Sequence, residues 1–212
     1  DAVGDYVQFS VTVPEAGKYA LVFRYGNGTT NLPTRNVYVD GTNNGALTFY
    51  PTRNGSGTPS WDEWLYDAYK VVTLTAGTHT VKLAYDAGNS GAINLDNLVL
   101  GTFDEPSVRL ADAAMAAVGA THIELGNRDQ MLAHPYFPNN YKQMRSGLLS
   151  SMKEHYDFIT AYENLLFDPS VHNADNGSQF VKITGQTTSG DGSGNTIWTQ
   201  LRHGSGYDTI HL

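Results

Sequence analysis

From Tyr6 to Leu100 apolar and polar residues alternate in short runs, and that alternation leaves the chain few folds to choose from. In "YVQFSVTV" the residues Val7, Phe9, Val11 and Val13 share one face, while Gln8, Ser10 and Thr12 share the other. In "KYALVFRY" the inward set is Tyr19, Leu21, Phe23 and Tyr25. Side chains on an extended backbone point alternately to opposite faces, so a period of two predicts strands with one buried side. Further runs follow at "NVYVD", "ALTFY", "YKVVTL", "HTVKLAY" and "INLDNLVL", parted by turn signals such as "PEAG", "DGTNNG", "TAGT" and "DAGNSG". About seven short strands with no helix between them predict a mainly β fold, an antiparallel jelly-roll β-sandwich.

Composition agrees with a loop-rich β protein: of 212 residues only 16% are charged, while Gly numbers 22 and Tyr 13. A net charge of -8, with no basic run, argues against nucleic acid or an anionic membrane as a partner. Cysteine is absent, which removes disulfides and thiolate metal sites. No stretch is apolar for long enough to span a bilayer with a helix. The first residues have no signal-peptide shape and no initiator Met, and strand texture runs up to the last residues. The expectation is an internal piece of a longer, secreted polypeptide.

Near Thr102 the texture changes. "EPSVRLADAAMAAVGA" places Pro at the start of an Ala-rich helix and Gly119 at its stop. "THIEL" reads as a short strand, and a long helix follows with Leu148, Met152, Tyr156, Ile159, Tyr162 and Leu166 three or four apart. After Pro169, "QFVKIT", "TIWTQLR" and "YDTIHL" return to β texture. One helix–strand–helix unit cannot close a core alone, so residues 102–168 are expected to be part of a larger (β/α)8 barrel. Residues 1–101 are then the jelly roll and 169–212 the start of a C-terminal β domain.

Chemistry-bearing residues are sparse. The seven histidines show no metal-ligand spacing. "SGDGSGN" lacks the Glu that a calcium loop needs at its twelfth position, which is Arg202 counted from Asp191. In "THIEL" parity puts His122 and Glu124 on one face; in a barrel that face looks to the axis, with Glu124 at the C-terminal end where such barrels do chemistry. A buried ion pair or an edge strand gives the same pattern. Asn127, Asp129 and His134 on the following loop suit hydroxyl recognition. In the jelly roll the candidates are Trp61, Trp64, Tyr25, Asn27, Asn94 and Asp96. With Val72 and Leu74 inward, an unbroken strand turns Trp64 inward as a plug and leaves Trp61 as an aromatic platform for a sugar. The competing reading has both indoles closing the sandwich end, because a bulge reverses parity.

The runs "GDYVQFSVTVPEAGKYALVFRYGNGT", "W..W", "L.AGTHTVKL" and "INLDNLVL" resemble a family 35 carbohydrate-binding module over Asp1 to Leu100. That resemblance implies a sugar site with Trp61 or Trp64 as platform and Asn94 beside it. It also implies a structural calcium held in the complete module by Asp96 and acidic residues of a first strand missing from this piece. "ATHIELGNRDQMLAHPYFPNNYKQM" and "HYDFITAYENLLFD" resemble the end of glycoside hydrolase family 66, the group of dextranases and cycloisomaltooligosaccharide glucanotransferases. The implied whole is a secreted bacterial enzyme with a retaining two-carboxylate mechanism, whose catalytic Asp and Glu lie in earlier barrel strands, so no catalytic residue is expected in these residues. Its implied partners are dextran and isomaltooligosaccharides, together with the rest of the same polypeptide. A family 35 module inserted late in the barrel points to the glucanotransferases, which make cyclic products. A dextranase or a non-catalytic binding module is the alternative.

Overall fold

The computed structural model describes residues 2–121, 124–126, 130–134, 137–138, 141–174 and 181–212. They fall into two units: Asp1–Phe103 with Leu125–Ser146, and Asp104–Glu124 with Gly147–Leu212. In the first unit, β2 (Gly17–Gly26) is the middle strand of a sheet, flanked antiparallel by β5 (Leu65–Leu74) and β7 (Asn94–Gly101). A second sheet has the order β1 (Tyr6–Val13), β6 (Gly77–Ala84), β3 (Thr34–Val39), β4 (Thr42–Thr48), all antiparallel. The chain passes from one sheet to the other at nearly every connection, which makes the sandwich a jelly roll.

The period-two pattern produces the core directly. Tyr19, Leu21, Phe23 and Tyr25 are 0–2% exposed and pack with Val13, Val37, Phe49, Val81 and Leu83. Each such buried side chain contributes about 1.5–3 kcal/mol over its exposed state. Tyr25 meets Phe49 edge-on at 4.8 Å, and its hydroxyl is held by the Asp67 carboxylate and the Tyr50 carbonyl. Burial, reinforced by Asp67, drives that phenol far above its ordinary range, so it stays protonated.

Both neighbours of β2 bulge at one level. Phe23 pairs with Ala68 but Tyr25 pairs with Leu65, which leaves one extra residue in β5. Arg24 pairs with Asn97 but Tyr25 pairs with Leu95, which leaves Asp96 unpaired in β7. An extra residue reverses face parity beyond it. Trp64, even-numbered like Val72 and Leu74, is therefore turned away from their side and meets Arg24, not the core.

The outer face of β2 is covered as well. Ala20 and Val22 are 0% and 4% exposed although they point away from the core. Residues 141–145 return to this face: the Gln143 N–H donates to the Gly101 carbonyl at 3.2 Å, the Tyr141 ring stands edge-on to Tyr69 at 5.3 Å, and Arg145 pairs with Glu15 at 3.1 Å. Gly101 has to be glycine, because a Cβ there would lie 1.7 Å from the Tyr141 carbonyl oxygen. Leu125–Ser146 thus group with the sandwich.

The second unit begins with α1 (Glu105–Ala117), capped by Asp104, whose carboxylate accepts from the Ser107 N–H. The helix ends where Gly119 takes φ +77°. Helix α2 (Ser146–Ala161) buries Leu148, Met152 and Ile159; a short α3 (Glu163–Leu166) adds Leu166. Of "THIEL", only Leu125 forms a β-bridge, to Met131, and His122 and Ile123 lie outside the described residues. Later strands are short: β8 (Ile197–Trp198), β9 (Gln200–His203) and β10 (Asp208–His211) realise the expected "TIWTQLR" and "YDTIHL" runs, while residues 181–184 of "QFVKIT" form no strand.

Glu124 is 7% exposed and hydrogen-bonds Asp112 of α1, itself 3% exposed, and the Tyr156 hydroxyl bonds the Glu124 backbone. Burial, then the Asp112 hydrogen bond and charge, push the Glu124 carboxyl from 4.5 up to about 8. Between those values the unfolded chain releases a proton that the folded unit keeps. The contribution to stability is therefore full below pH 4.5 and lost as pH rises through 8. The melting temperature of this unit is expected to fall across that window, and Glu124→Gln to flatten the fall. Parallel pH profiles for the two proteins would refute the shared proton.

Candidate functional site

One end of the sandwich holds an open cleft of about 460 Å³. Its walls come from the start of β1 (Asp5, Tyr6), from Arg35 on β3, from Trp64 before β5, from Tyr85 after β6, and from Ile93 and Asn94 at the start of β7. The bulge in β5 is what frees Trp64 to take this position. Gly26 runs close by: a Cβ there would come within 3.2 Å of the Glu63 carbonyl oxygen and 3.8 Å of the Asn94 Cβ.

Behind the cleft the polar groups are fixed. Arg35 is 3% exposed, lies over the Tyr85 ring at 4.3 Å, and donates to the carbonyls of Thr34, Ser90 and Gly91 at 2.6, 3.2 and 2.9 Å. Burial lowers its pKa, opposed by Tyr85 and Asp5, and its bonds pin the turn that leads into Asn94. What the cleft presents is therefore an aromatic ring, a carboxamide and a carboxylate on rigid supports. That set suits a neutral, polyhydroxylated ligand, whose C–H face packs on the indole while its hydroxyls pair with Asn94 and Asp5.

The other sequence-derived candidates go elsewhere. Trp61 is 38% exposed, but its ring lies on Gly28, where an added Cβ would come within 2.4 Å of it. It clamps the β2–β3 loop. Tyr25 is a core residue at 0% exposure, which removes it from ligand contact. Asn27, also 0% exposed, knots that loop: its amide donates to Asn31 and Phe49 carbonyls at 2.9 and 3.0 Å, and its oxygen accepts from Thr29. Asn94 stays at the cleft mouth.

Asp96, the bulged residue of β7, is ion-paired with Arg24 and accepts from the Asn97 amide at 3.0 Å. Among the described residues no three His, Cys, Asp or Glu side chains converge. Calcium takes six or more oxygens, so an ion at Asp96 would need further ligands, which the resemblance places on a first strand of the complete module.

Glu124 is buried against Asp112 within its own unit. Its partner there is a second carboxyl, neither the buried ion pair nor the edge strand that the parity also allowed. Asn127 and Asp129 lie outside the described residues, as does the side chain of His134. The second unit has a larger groove of about 640 Å³, in which Ala113, Ala117, Phe158 and Ile210 stand beside polar residues such as Glu154 and Gln200.

Sequence reasoning missed Arg24, Arg35, Tyr85 and Asp5. For Arg35 a signal existed: it shares parity with inward Val37 and Val39, and a cation at an inward position of a strand has to be serving buried acceptors.

Residues 5–212 match glycosyl hydrolase family 66. A cycloisomaltooligosaccharide glucanotransferase of Niallia circulans is 57% identical over 211 residues, all of this chain and 21% of the relative. The crystal structure of a cycloisomaltooligosaccharide glucanotransferase from Paenibacillus sp., complexed with cycloisomaltoheptaose, is 55% identical and matches with a TM-score of 0.80, over 99% of this chain and 29% of that one. A dextranase of Streptococcus salivarius is 30% identical over 112 residues, 49% of this chain and 14% of the relative. The chain thus spans about a fifth of the length of the Niallia relative, and it belongs to glycosyl hydrolase family 66.

Proposed function

We propose that this chain is the glucan-holding part of a secreted bacterial glucanotransferase that acts on α-1,6-glucan and makes cyclic isomaltooligosaccharides. The observation that carries the reading is the cleft in which Trp64 and Asn94 meet, at the end of a jelly roll that also bears family 35 module motifs. Relatives named for cyclic products are 54–57% identical over nearly the whole chain, against 30% over half of it for the dextranase, which favours transfer over hydrolysis.

In this reading a run of isomaltooligosaccharide lies along the cleft, one glucose on the Trp64 ring and its hydroxyls on Asn94 and Asp5. Stacking supports sliding, because each glucose presents a similar C–H face, and a long chain held near its far end is what ring closure needs. The retaining chemistry belongs to an Asp and a Glu outside these residues. The segment from Glu105 to Leu166 would contribute barrel helices, and the Glu124–Asp112 contact would lock the chain before its return to the sandwich.

Two outcomes are expected. Trp64→Ala should weaken binding of isomaltohexaose by on the order of 1–3 kcal/mol while the melting temperature changes little, and Trp61→Ala should do the reverse, because its ring clamps a loop. Titration calorimetry and thermal melts on both variants decide this, and normal binding by Trp64→Ala would sink the reading. Excess EDTA should leave the melting temperature of this chain unchanged, since Arg24 and not an ion neutralises Asp96. A drop of several degrees would restore calcium to that carboxylate.

A further inference from the structure

Arg24 is the outward residue of β2 at the level where both flanking strands bulge. Bulges re-aim side chains. Here the one in β5 lets Trp64 and Tyr66 come to the guanidinium, and the one in β7 brings Asp96. The guanidinium carbon lies 4.9 Å from the centre of the Trp64 ring and 6.0 Å from that of Tyr66. Its Nη1 donates to Asp96 Oδ2, and the Asn97 amide donates to the same oxygen at 3.0 Å. The Arg24 and Asp96 side chains keep 32% and 40% of their exposure.

An exposed ion pair by itself adds little to stability. A planar cation placed over the Trp64 ring, with Tyr66 at the edge of its reach, and tied to a carboxylate does something different, because it fixes a direction. Trp64 stands at the end of a loop, before the first residue of β5, where an indole otherwise has rotamers to choose from. With the guanidinium over one face, only the opposite face and the edges are left for a ligand.

We propose that Arg24 and Asp96 act as a positioning pair for the Trp64 platform, holding the indole in the one orientation that lines the cleft beside Asn94. The inference rests on the reading of Trp64 as the sugar platform. It assigns Asp96 the task of neutralising and aiming Arg24. Neither residue touches the sugar; both act through the ring. Losing the pair should therefore show as a softer, reoriented tryptophan and weaker binding, with the fold retained.

The test uses the 212-residue chain, isomaltohexaose as ligand, titration calorimetry, thermal melts and near-ultraviolet circular dichroism, which reports how tryptophan rings are fixed. Arg24→Gln should weaken binding about three- to tenfold and reduce the tryptophan bands, with the melting temperature nearly kept. Asp96→Asn should move both readouts the same way by less. Arg24→Lys, which keeps the charge but loses the planar stack, should fall between wild type and Arg24→Gln. If Arg24→Gln fails to fold, the lysine variant carries the test, and normal affinity in it overturns the proposal. Normal affinity and bands in Arg24→Gln, beside lost binding in Trp64→Ala, would show that the platform is right and its support wrong. If Trp64→Ala also binds normally, the sugar reading falls, and the positioning pair with it.

Discussion

The burial of one row of side chains, Tyr19, Leu21, Phe23 and Tyr25, is the constraint from which the rest of the sandwich follows. β2 has to stay regular to keep that row inward along its length. Any adjustment between the sheet and the loops at its end must then be made in the neighbouring strands. Both neighbours make it at the level of Arg24, with one extra residue each. A strand that cannot bend has pushed its irregularity outward, and that irregularity places Trp64, Tyr66 and Asp96 around a single guanidinium.

The same strand is occupied on its other face. Ala20 and Val22 are small enough to let residues 141–145 approach, and Gly101 lets the Tyr141 carbonyl come where a side chain would stand. A sandwich with one face of a sheet covered by a distant stretch of its own chain is more than a module on a tether. The cleft shares with that covered sheet only the start of β7 and the lead into β5; its other walls come from β1, β3 and β6.

How much of this could be read from the sequence depended on which interaction decided each feature. Period-two alternation depends on local geometry and burial, so the strands, the inward row and the jelly roll were all legible, as were the Asp104 to Gly119 helix limits. The cleft was half legible: Asn94 and either Trp61 or Trp64 were expected there, but unbroken parity alone turned Trp64 inward, because a bulge leaves no mark in the alternation of one strand. It exists only as a register between two. Glu124 shows the same limit from the other side. Its parity in "THIEL" was correctly seen as polar, yet whether that face meets solvent or Asp112 depends on a helix twelve residues earlier. Tyr25 and Asn27 looked like binding residues by type, and buried acceptors took both of them.

The central claim is that sugar meets the chain at Trp64, and the three tryptophans make it directly measurable. Each indole N–H gives its own resonance in a ¹⁵N-labelled chain, and single substitutions assign them. On titration with isomaltohexaose the Trp64 resonance should move most, Trp61 on Gly28 little, and Trp198, whose N–H is bonded to the Gly190 carbonyl in the other unit, not at all. A saturable shift confined to Trp61 or Trp198, with Trp64 unmoved, would contradict the assignment of the cleft.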